Sequence, residues 1–306
     1  MIRPGLPVFR RDAAQLQFGT AIDDCFVVED RPGLVALLRL LNGARDTATV
    51  AFLARERIPA LVDEPESLIA ALAREGIVVD SAGSDALETH DLRAEARSLL
   101  AQRLSPDEIS DRLARRSRSC VELRADARTE PIASAVADGL RTTGIDTTRV
   151  ADTLAAVTVV VTAGTGDRTT FARLGHDHMP HLPVVAIGPR VVVGPFVDVG
   201  LTPCAMCLDL WRQESDPSWA AVTAQLDAPL APAQDTNSEA VSTATRLAAA
   251  ALVVEEITAF CDDTVPHTTS KTITIGPGGY DRTESATAFH PRCQCRAARG
   301  AVTELA

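Results

Sequence analysis

The stretch Ala156-Val157-Thr158-Val159-Val160-Val161 decides the fold class. A short, continuous apolar run rich in β-branched residues is typical of a strand that is buried on both faces. Further strands and helices alternate around it, with strands predicted at Val121–Leu123, Pro183–Ile187 and Arg190–Val193 and helices at Glu130–Thr142 and Thr169–His176. Strands that alternate with helices predict a parallel, doubly wound α/β sheet.

The C-terminal part continues this pattern. The Ala-rich segment Ser238–Phe260 predicts a long helix that covers the sheet, and Thr272–Ile275 predicts a late strand followed by a glycine-rich hairpin at Gly276–Gly279. We therefore assign residues 119–306 to one α/β domain.

The first 80 residues have a different pattern. Short β-prone runs precede three amphipathic helices and a closing strand; the strands are predicted at Leu6–Arg10, Gln15–Phe18, Asp24–Val28 and Ile77–Val79, and the helices at Pro32–Leu41, Thr47–Glu56 and Pro65–Glu75. Three helices with small flanking strands suggest a winged helix-turn-helix domain over residues 1–80.

Residues 81–118 are predicted to be a linker that contains helices. The stretch Asp80–Asp91 is polar and turn-rich, and helices follow at Asp91–Ala101 and Pro106–Arg115. The cluster Arg115, Arg116 and Arg118 is expected to be a solvated helix end.

Composition excludes several classes of function. The 306 residues contain 41 acidic and 30 basic side chains, which gives a net charge of −11. Nucleic-acid backbones and anionic membranes require a basic surface, so neither is an expected partner. No apolar run is long enough for a membrane span, and the N-terminus lacks the pattern of a secretory signal. We expect a cytoplasmic protein whose thiols stay reduced.

Four of the seven cysteines form two close pairs. Cys204 and Cys207 are a C-x-x-C pair predicted to lie on a tight turn, and Cys293 and Cys295 are a C-x-C pair. Four thiolates are the ligand set of a structural zinc site, which would fix the C-terminal tail and leave no open position for catalysis. One pair acting as a redox thiol or lying buried is the alternative, and His290 is an alternative fourth ligand.

The expected nucleotide-binding turn lacks its usual residues. In doubly wound domains a glycine-rich turn after the first strand presents bare amides to phosphate. The corresponding segment Leu123–Pro131 contains no glycine and carries Asp126 and Glu130. Gly164-Thr165-Gly166-Asp167 is a weak G-x-G signal, and the chain's one lysine, Lys271, lies far along the sequence. The sequence therefore predicts that ATP is not bound.

Cys261 and a group of three histidines are two further candidate sites. Cys261 is followed by Asp262 and Asp263, which would raise its pKa, so a core role is favoured over a nucleophile. The H-x-H-x-x-H set favours an ordinary polar loop or a dimer contact over a second metal site; its members are His176, His178 and His181.

The cysteine segments carry a family resemblance. Val193–Arg212, with Asp216–Trp219 and Gln225-Leu226 after it, and His290–Cys295 resemble the zinc-binding region of ThiF-like proteins of thiazole/oxazole-modified microcin (TOMM) biosynthesis. The segment Leu6–Asp80 resembles the PqqD-like recognition element that precedes it in such proteins. This resemblance implies a Rossmann-like ThiF-type domain with structural zinc bound by Cys204, Cys207, Cys293 and Cys295.

The resemblance also implies a function. Such proteins bind the leader peptide of a ribosomally made precursor (RiPP) and present it to a YcaO-type cyclodehydratase, which binds ATP. A peptide could add as a strand to the N-terminal sheet and contact the third helix; the candidate residues are Cys25, Phe26, Val27, Val28, Ser67, Leu68, Ala71 and Arg74. We expect a non-catalytic scaffold that forms a homodimer.

Two alternatives remain open from the sequence. The first is an active ThiF-type adenylyltransferase that uses an unrecognised ATP loop. The second is a regulatory winged-helix protein, but acidic Glu64, Glu66 and Glu75 surround Arg74 on the third helix and would repel DNA.

Overall fold

The computed structural model describes residues 1–3, 6–20, 25–79, 92–102, 104–150, 154–164, 166–225 and 240–299. The chain divides into two compact units, Met1–Ala114 and Arg115–Ala306. The predicted linker stretch Asp80–Asp91 lies outside the described residues.

The first unit contains a small antiparallel sheet and a group of helices. Its elements are β1 (Val8–Arg10), β2 (Gln15–Phe18), β3 (Phe26–Glu29), α1 (Leu34–Leu40), α2 (Thr47–Arg57) and α3 (Pro65–Arg74). The strand order is β1-β2-β3, which leaves β3 at an edge. Helix α2 begins after Asp46, whose carboxylate accepts a hydrogen bond from the Thr49 amide at 2.7 Å. Of the predicted closing strand, the structure has only an isolated bridge between Val78 and Ile2.

Apolar residues from the sheet and from all three helices form one core in this unit. Phe18, Leu37 and Ile77 are fully buried in it. Two further helices, α4 (Arg93–Ala101) and α5 (Pro106–Arg118), add a smaller core against which Met1 and Val79 pack. The winged-helix assignment and the domain boundaries at 80 and 118 stay predictions.

The second unit is built on a seven-stranded sheet with the order β10-β9-β8-β7-β6-β4-β5. Its strands are β4 (Cys120–Ala125), β5 (Asp146–Thr148), β6 (Val157–Ala163), β7 (His181–Ile187), β8 (Arg190–Val193), β9 (Lys271–Ile275) and β10 (Arg282–Ala286). Strands β5, β4, β6 and β7 are parallel, as predicted, whereas β7 through β10 are antiparallel. The hairpin predicted at Gly276–Gly279 is confirmed by the antiparallel pairing of β9 with β10, whereas the predicted parallel arrangement was wrong for β8 and β9. A two-residue turn reverses the chain between β7 and β8, and a long helical segment returns it to β9.

Helices cover the sheet of the second unit. They are α6 (Glu130–Thr143), α7 (Arg168–His176), α8 (Ala205–Ser215), α9 (Trp219–Thr223) and α10 (Thr243–Cys261). Helices α6 and α10 approach closely at Gly139, where an added Cβ would lie 2.6 Å from Cγ2 of Val254. No helix among the described residues has the length and apolar character needed to cross a bilayer.

The sequence predicted that Arg116 lies at a solvated helix end, and for this residue the prediction is wrong. Its side chain is buried, and its Nε and one terminal nitrogen donate to the two carboxylate oxygens of Asp262, each at 2.8 Å. A buried guanidinium is tolerated because this bidentate pair compensates the lost hydration. The sequence could not reveal this pair, because 146 positions separate the two residues.

We predict that Asp262→Asn destabilises the second unit by about 3–5 kcal/mol, because it leaves the buried Arg116 charge without its counter-ion. The control is Asp138→Asn, which breaks an ion pair with Arg141 whose side chains are each 71% exposed; its cost should stay below about 0.5 kcal/mol. Both tryptophans, Trp211 and Trp219, lie in the second unit, so urea unfolding followed by intrinsic fluorescence measures its stability. Equal stability losses in the two variants would contradict the prediction.

Candidate functional site

The two cysteine pairs meet in the folded chain. The Sγ atoms of Cys204 and Cys293 are 3.7 Å apart, and those of Cys207 and Cys295 are 3.5 Å apart. All four sulfur atoms lie within 4.8 Å of one another, and none is in a disulfide. Among the described residues this is the one group of three or more potential ligands with metal-binding spacing.

The sulfur geometry fits zinc. Four thiolates at about 2.3 Å from a common ion in a tetrahedron would be separated by about 3.8 Å, which is close to the two sulfur distances observed. A hydrogen bond from the Cys295 thiol is the main cause that lowers the pKa of Cys204, to about 5, whereas burial raises the pKa of Cys293 to about 11. Without a metal, one thiol of the quartet is therefore deprotonated more easily than usual and another less easily. A divalent cation would stabilise the thiolate form of all four cysteines. The quartet is thus compatible with a structural zinc.

The first pair is held by a helix and not by the tight turn that the sequence suggested. Cys204 is the N-cap of α8, and Cys207 lies in its first turn. The unpaired amides at a helix N-terminus stabilise negative charge, and the Cys207 and Met206 amides contribute to the lowered pKa of Cys204. Local helix geometry therefore brings two sulfur atoms to one side.

The second pair is preceded by a segment that contacts α8. The backbone N–H of His290 donates to Sγ of Cys207 at 3.4 Å. The ring of His290 is not a ligand, because Nε2 contacts Glu214 at 3.0 Å and Nδ1 accepts from the Arg292 amide at 3.1 Å. The structure thus places His290 beside the cysteine quartet and outside it.

A crevice of about 570 Å³ lies at the carboxyl ends of β4 and β6. The chain order reverses between these strands, since β5 lies on one side of β4 and β6 on the other. Ligands of open α/β sheets bind at such a switch point. The crevice is therefore where this architecture would hold a nucleotide.

Asp126 occupies the position that a phosphate would need. Its Oδ1 accepts hydrogen bonds from the backbone amides of Arg128 and Thr129, both at 2.9 Å, and from the Thr129 hydroxyl at 2.9 Å. These are the amides that a phosphate-binding turn would leave open. Glu130, which the sequence grouped with Asp126, instead contacts Arg149 at 2.7 Å. A single carboxylate, that of Asp126, therefore occupies the amides of this turn; we call such a turn closed.

In the loop that follows β6, a carboxylate likewise occupies a backbone amide at the start of a helix. Asp167 caps α7 by accepting from the Thr170 amide at 2.9 Å, and these hydrogen bonds lower its pKa against the opposing effect of burial. Thr165 of the G-x-G signal lies outside the described residues.

The arginines that line the crevice are already paired with acids. Arg124 binds Glu122 at 2.7 and 2.9 Å, and Arg168 binds Asp209 in a bidentate pair. The residues present do not fit a triphosphate.

The remaining candidates are placed differently. Cys261 ends α10 and is buried, and burial raises the pKa of its thiol, in agreement with a core role. His181 is not in a polar loop: it begins β7, lies buried, and stacks on Phe171 with ring centroids 6.1 Å apart. Burial lowers its pKa. Together with His176 and His178 it does not form a ligand cluster.

Only some of the predicted peptide-binding residues are available at the surface of the first unit. Phe26 and Val28 of β3 and Leu68 of α3 are partly buried against that core. Val27 points outward and is 41% exposed. Ala71 is half-buried, whereas Ser67 and Arg74 are exposed, and Cys25 immediately precedes β3.

A groove of about 720 Å³ runs along the face of α3 that adjoins the predicted peptide-binding face. On that helix it is lined by Glu66, Ile69, Ala70 and Ala73, and the start of α2 forms its other side. Sequence reasoning missed this face because the i, i+3, i+4 spacing leaves two adjacent helix faces equally plausible.

Comparison with known proteins identifies the fold. Neither a protein-family model nor a curated protein matches the sequence. The heterocyclase TruD matches with a TM-score of 0.70 and 17% identity, covering 96% of this chain and 42% of TruD. A heterocyclase in complex with substrate and cofactor matches with a TM-score of 0.67 and 17% identity, over 96% of this chain and 38% of that one.

A second kind of protein has the same fold. MccB of E. coli, in complex with AMPCPP and MccA, matches with a TM-score of 0.62 and 12% identity, over 97% of this chain and 98% of MccB. The chain thus has the α/β fold shared by these heterocyclases and MccB, and it spans about two fifths of the heterocyclases' length.

We predict that the purified protein contains one zinc ion per chain and that Cys204→Ser combined with Cys293→Ser loses it, because two of four ligands are removed. The matched control is Cys120→Ser, which changes a cysteine on β4 outside the quartet. Elemental analysis by mass spectrometry gives the stoichiometry. A parent protein without zinc, or a double variant that keeps it, would contradict the assignment.

Proposed function

We propose that this chain is a non-catalytic scaffold of RiPP biosynthesis that binds the leader peptide of a TOMM-type precursor and presents it to a YcaO-type cyclodehydratase. The observation that carries the proposal is an open strand edge in the first unit combined with a closed phosphate turn in the second. The zinc site is structural, and the homodimer expected from the sequence remains a prediction.

The outer edge of β3 has the chemistry to receive an extended peptide. The Asp30 amide donates to the Ala14 carbonyl at 2.7 Å, and the register pairs Glu29 with Gln15 and Val28 with Leu16. In an antiparallel pair, backbone groups alternate between the partner strand and the opposite side. The N–H and C=O of Val27 therefore face outward, where no strand of the described chain pairs with them.

Helix α3, which packs on the same core as β3, can add side-chain selectivity. Leu68 and Ala71 of α3 are partly exposed, and Leu68 packs on the same core as Phe26 and Val28. Backbone hydrogen bonds give affinity in strand addition, and neighbouring pockets select alternate side chains of the peptide. The groove lined by Glu66, Ala70 and Ala73 offers a further surface of mixed polarity on α3.

The closed crevice supports a role without nucleotide chemistry. A phosphate would have to displace the Asp126 carboxylate from the Arg128 and Thr129 amides and would meet like charge from Asp126 and Asp167. MccB, in contrast, has been seen with the nucleotide analogue AMPCPP. We propose that activation of the peptide amide is performed by the cyclodehydratase partner and not by these 306 residues.

We predict that Val27→Pro weakens binding of the leader peptide at least about tenfold, or about 1.4 kcal/mol, because it removes the outward N–H of the edge strand. Proline is tolerated at this position since no ladder hydrogen bond is lost. Val27→Ala keeps the N–H and is the matched control, expected to bind within about threefold of the parent. Fluorescence anisotropy with labelled peptides from short reading frames beside the gene measures the affinities. Equal affinities for the proline and alanine variants would refute strand addition.

We predict that calorimetric titration with MgATP gives no saturable heat, because Asp126 already binds the turn amides. Micromolar binding would remove the scaffold-only proposal and favour the alternative of a ThiF-type adenylyltransferase, which the likeness to MccB over nearly its whole length makes the second candidate. The peptide titration in the preceding test remains informative in either case, since it concerns the first unit alone.

A further inference from the structure

The segment Thr287–Arg292, which leads into the second cysteine pair, is attached to α8 by contacts that involve no metal. The Trp211 indole Nε1–H donates to the Ala288 carbonyl at 3.0 Å. The Trp211 and His290 rings meet edge to face with centroids 4.6 Å apart. Nε2 of His290 lies 3.0 Å from a Glu214 carboxylate oxygen. One side of α8 therefore holds this segment at several points.

His290 is the centre of these contacts, and its hydrogen-bond partners decide which tautomer its neutral ring adopts. Nδ1 accepts from the Arg292 amide, so in the neutral ring the proton lies on Nε2, which donates to Glu214. The backbone N–H of the same residue donates to Sγ of Cys207. The side chain of His290 is 1% exposed, whereas that of Glu214 is 47% exposed. The imidazole of His290 thus joins Glu214 of α8 to the turn before Cys293, while the backbone amide of the same residue contacts the sulfur of Cys207.

We propose that His290 is a positioning residue that assembles the cysteine quartet before metal binds and slows the loss of zinc afterwards. Its side chain holds the second cysteine pair against the first, and its backbone amide orients one sulfur. Outer-shell partners of this kind typically change metal affinity by about 10–100-fold. The inference concerns the cysteine site alone and is independent of peptide binding.

The first test is zinc release from the full chain to an excess of a colorimetric chelator. His290→Ala is expected to release zinc at least about tenfold faster than the parent. His290→Asn can keep an acceptor for the Arg292 amide, and His290→Gln can keep a donor to Glu214. Both variants should therefore release zinc faster than the parent and more slowly than His290→Ala. Arg292→Ala, which removes a 62% exposed side chain 3.4 Å from Glu214, is the matched control and should change the rate less than about twofold.

A second measurement tests, in the absence of metal, whether His290 holds the two cysteine pairs together. In zinc-free protein, mild oxidation with diamide should form disulfides between the two pairs in the parent, joining Cys204 to Cys293 and Cys207 to Cys295, because these sulfur atoms are 3.7 and 3.5 Å apart. In His290→Ala the same treatment should instead join Cys204 to Cys207, and peptide mapping by mass spectrometry separates these products.

The outcomes are distinguishable. If His290→Ala does not fold, as judged by circular dichroism, Glu214→Ala provides the test from the exposed side of the same contact. A folded His290→Ala that releases zinc at the parent rate and gives the parent cross-link would overturn the proposal. Absence of zinc from the parent would refute the metal assignment, while the cross-linking pattern would still decide the role of His290.

Discussion

The convergence of four sulfur atoms is the constraint on which the C-terminal part of the second unit depends. Cys204 and Cys293 are 89 positions apart, yet their sulfur atoms lie 3.7 Å from each other. Bringing two distant segments together costs chain entropy, and a metal ion bound by both offsets that cost. Residues 291–296 are exposed or half-buried, so contacts with α8, together with a metal ion when one is bound, take the place of an apolar core there.

A second constraint acts at the crevice between β4 and β6. The backbone of the turn after β4 still presents amides toward one point, as a phosphate-binding turn does, but the Asp126 carboxylate satisfies them from within the chain. The architecture of a nucleotide-binding fold is thus retained while the charge at its centre is supplied by a side chain.

The sequence predicted what depends on local pattern and missed what depends on distant partners. The buried runs at 157–161 and 183–187 predicted their strands, and the spacing of the cysteines predicted the quartet. The glycine-rich turn at 276–279 predicted the hairpin of β9 and β10. The directions of β8 and β9 relative to their neighbours could not be read from apolar runs, since buried parallel and antiparallel strands have similar residues. The burial of Arg116 was missed because its partner is distant, and the helical setting of Cys204 because C-x-x-C pairs suit either a turn or a helix start.

The linkage of the two cysteine pairs has a topological consequence. With an ion bound, the polypeptide between Cys207 and Cys293 becomes a closed ring whose two ends meet at the metal. A protease that cuts between Cys207 and β9 would leave two fragments that stay joined through the ion and through the pairing of β9 with β8. Such a nicked protein would migrate as one particle until a chelator and a denaturant were both added.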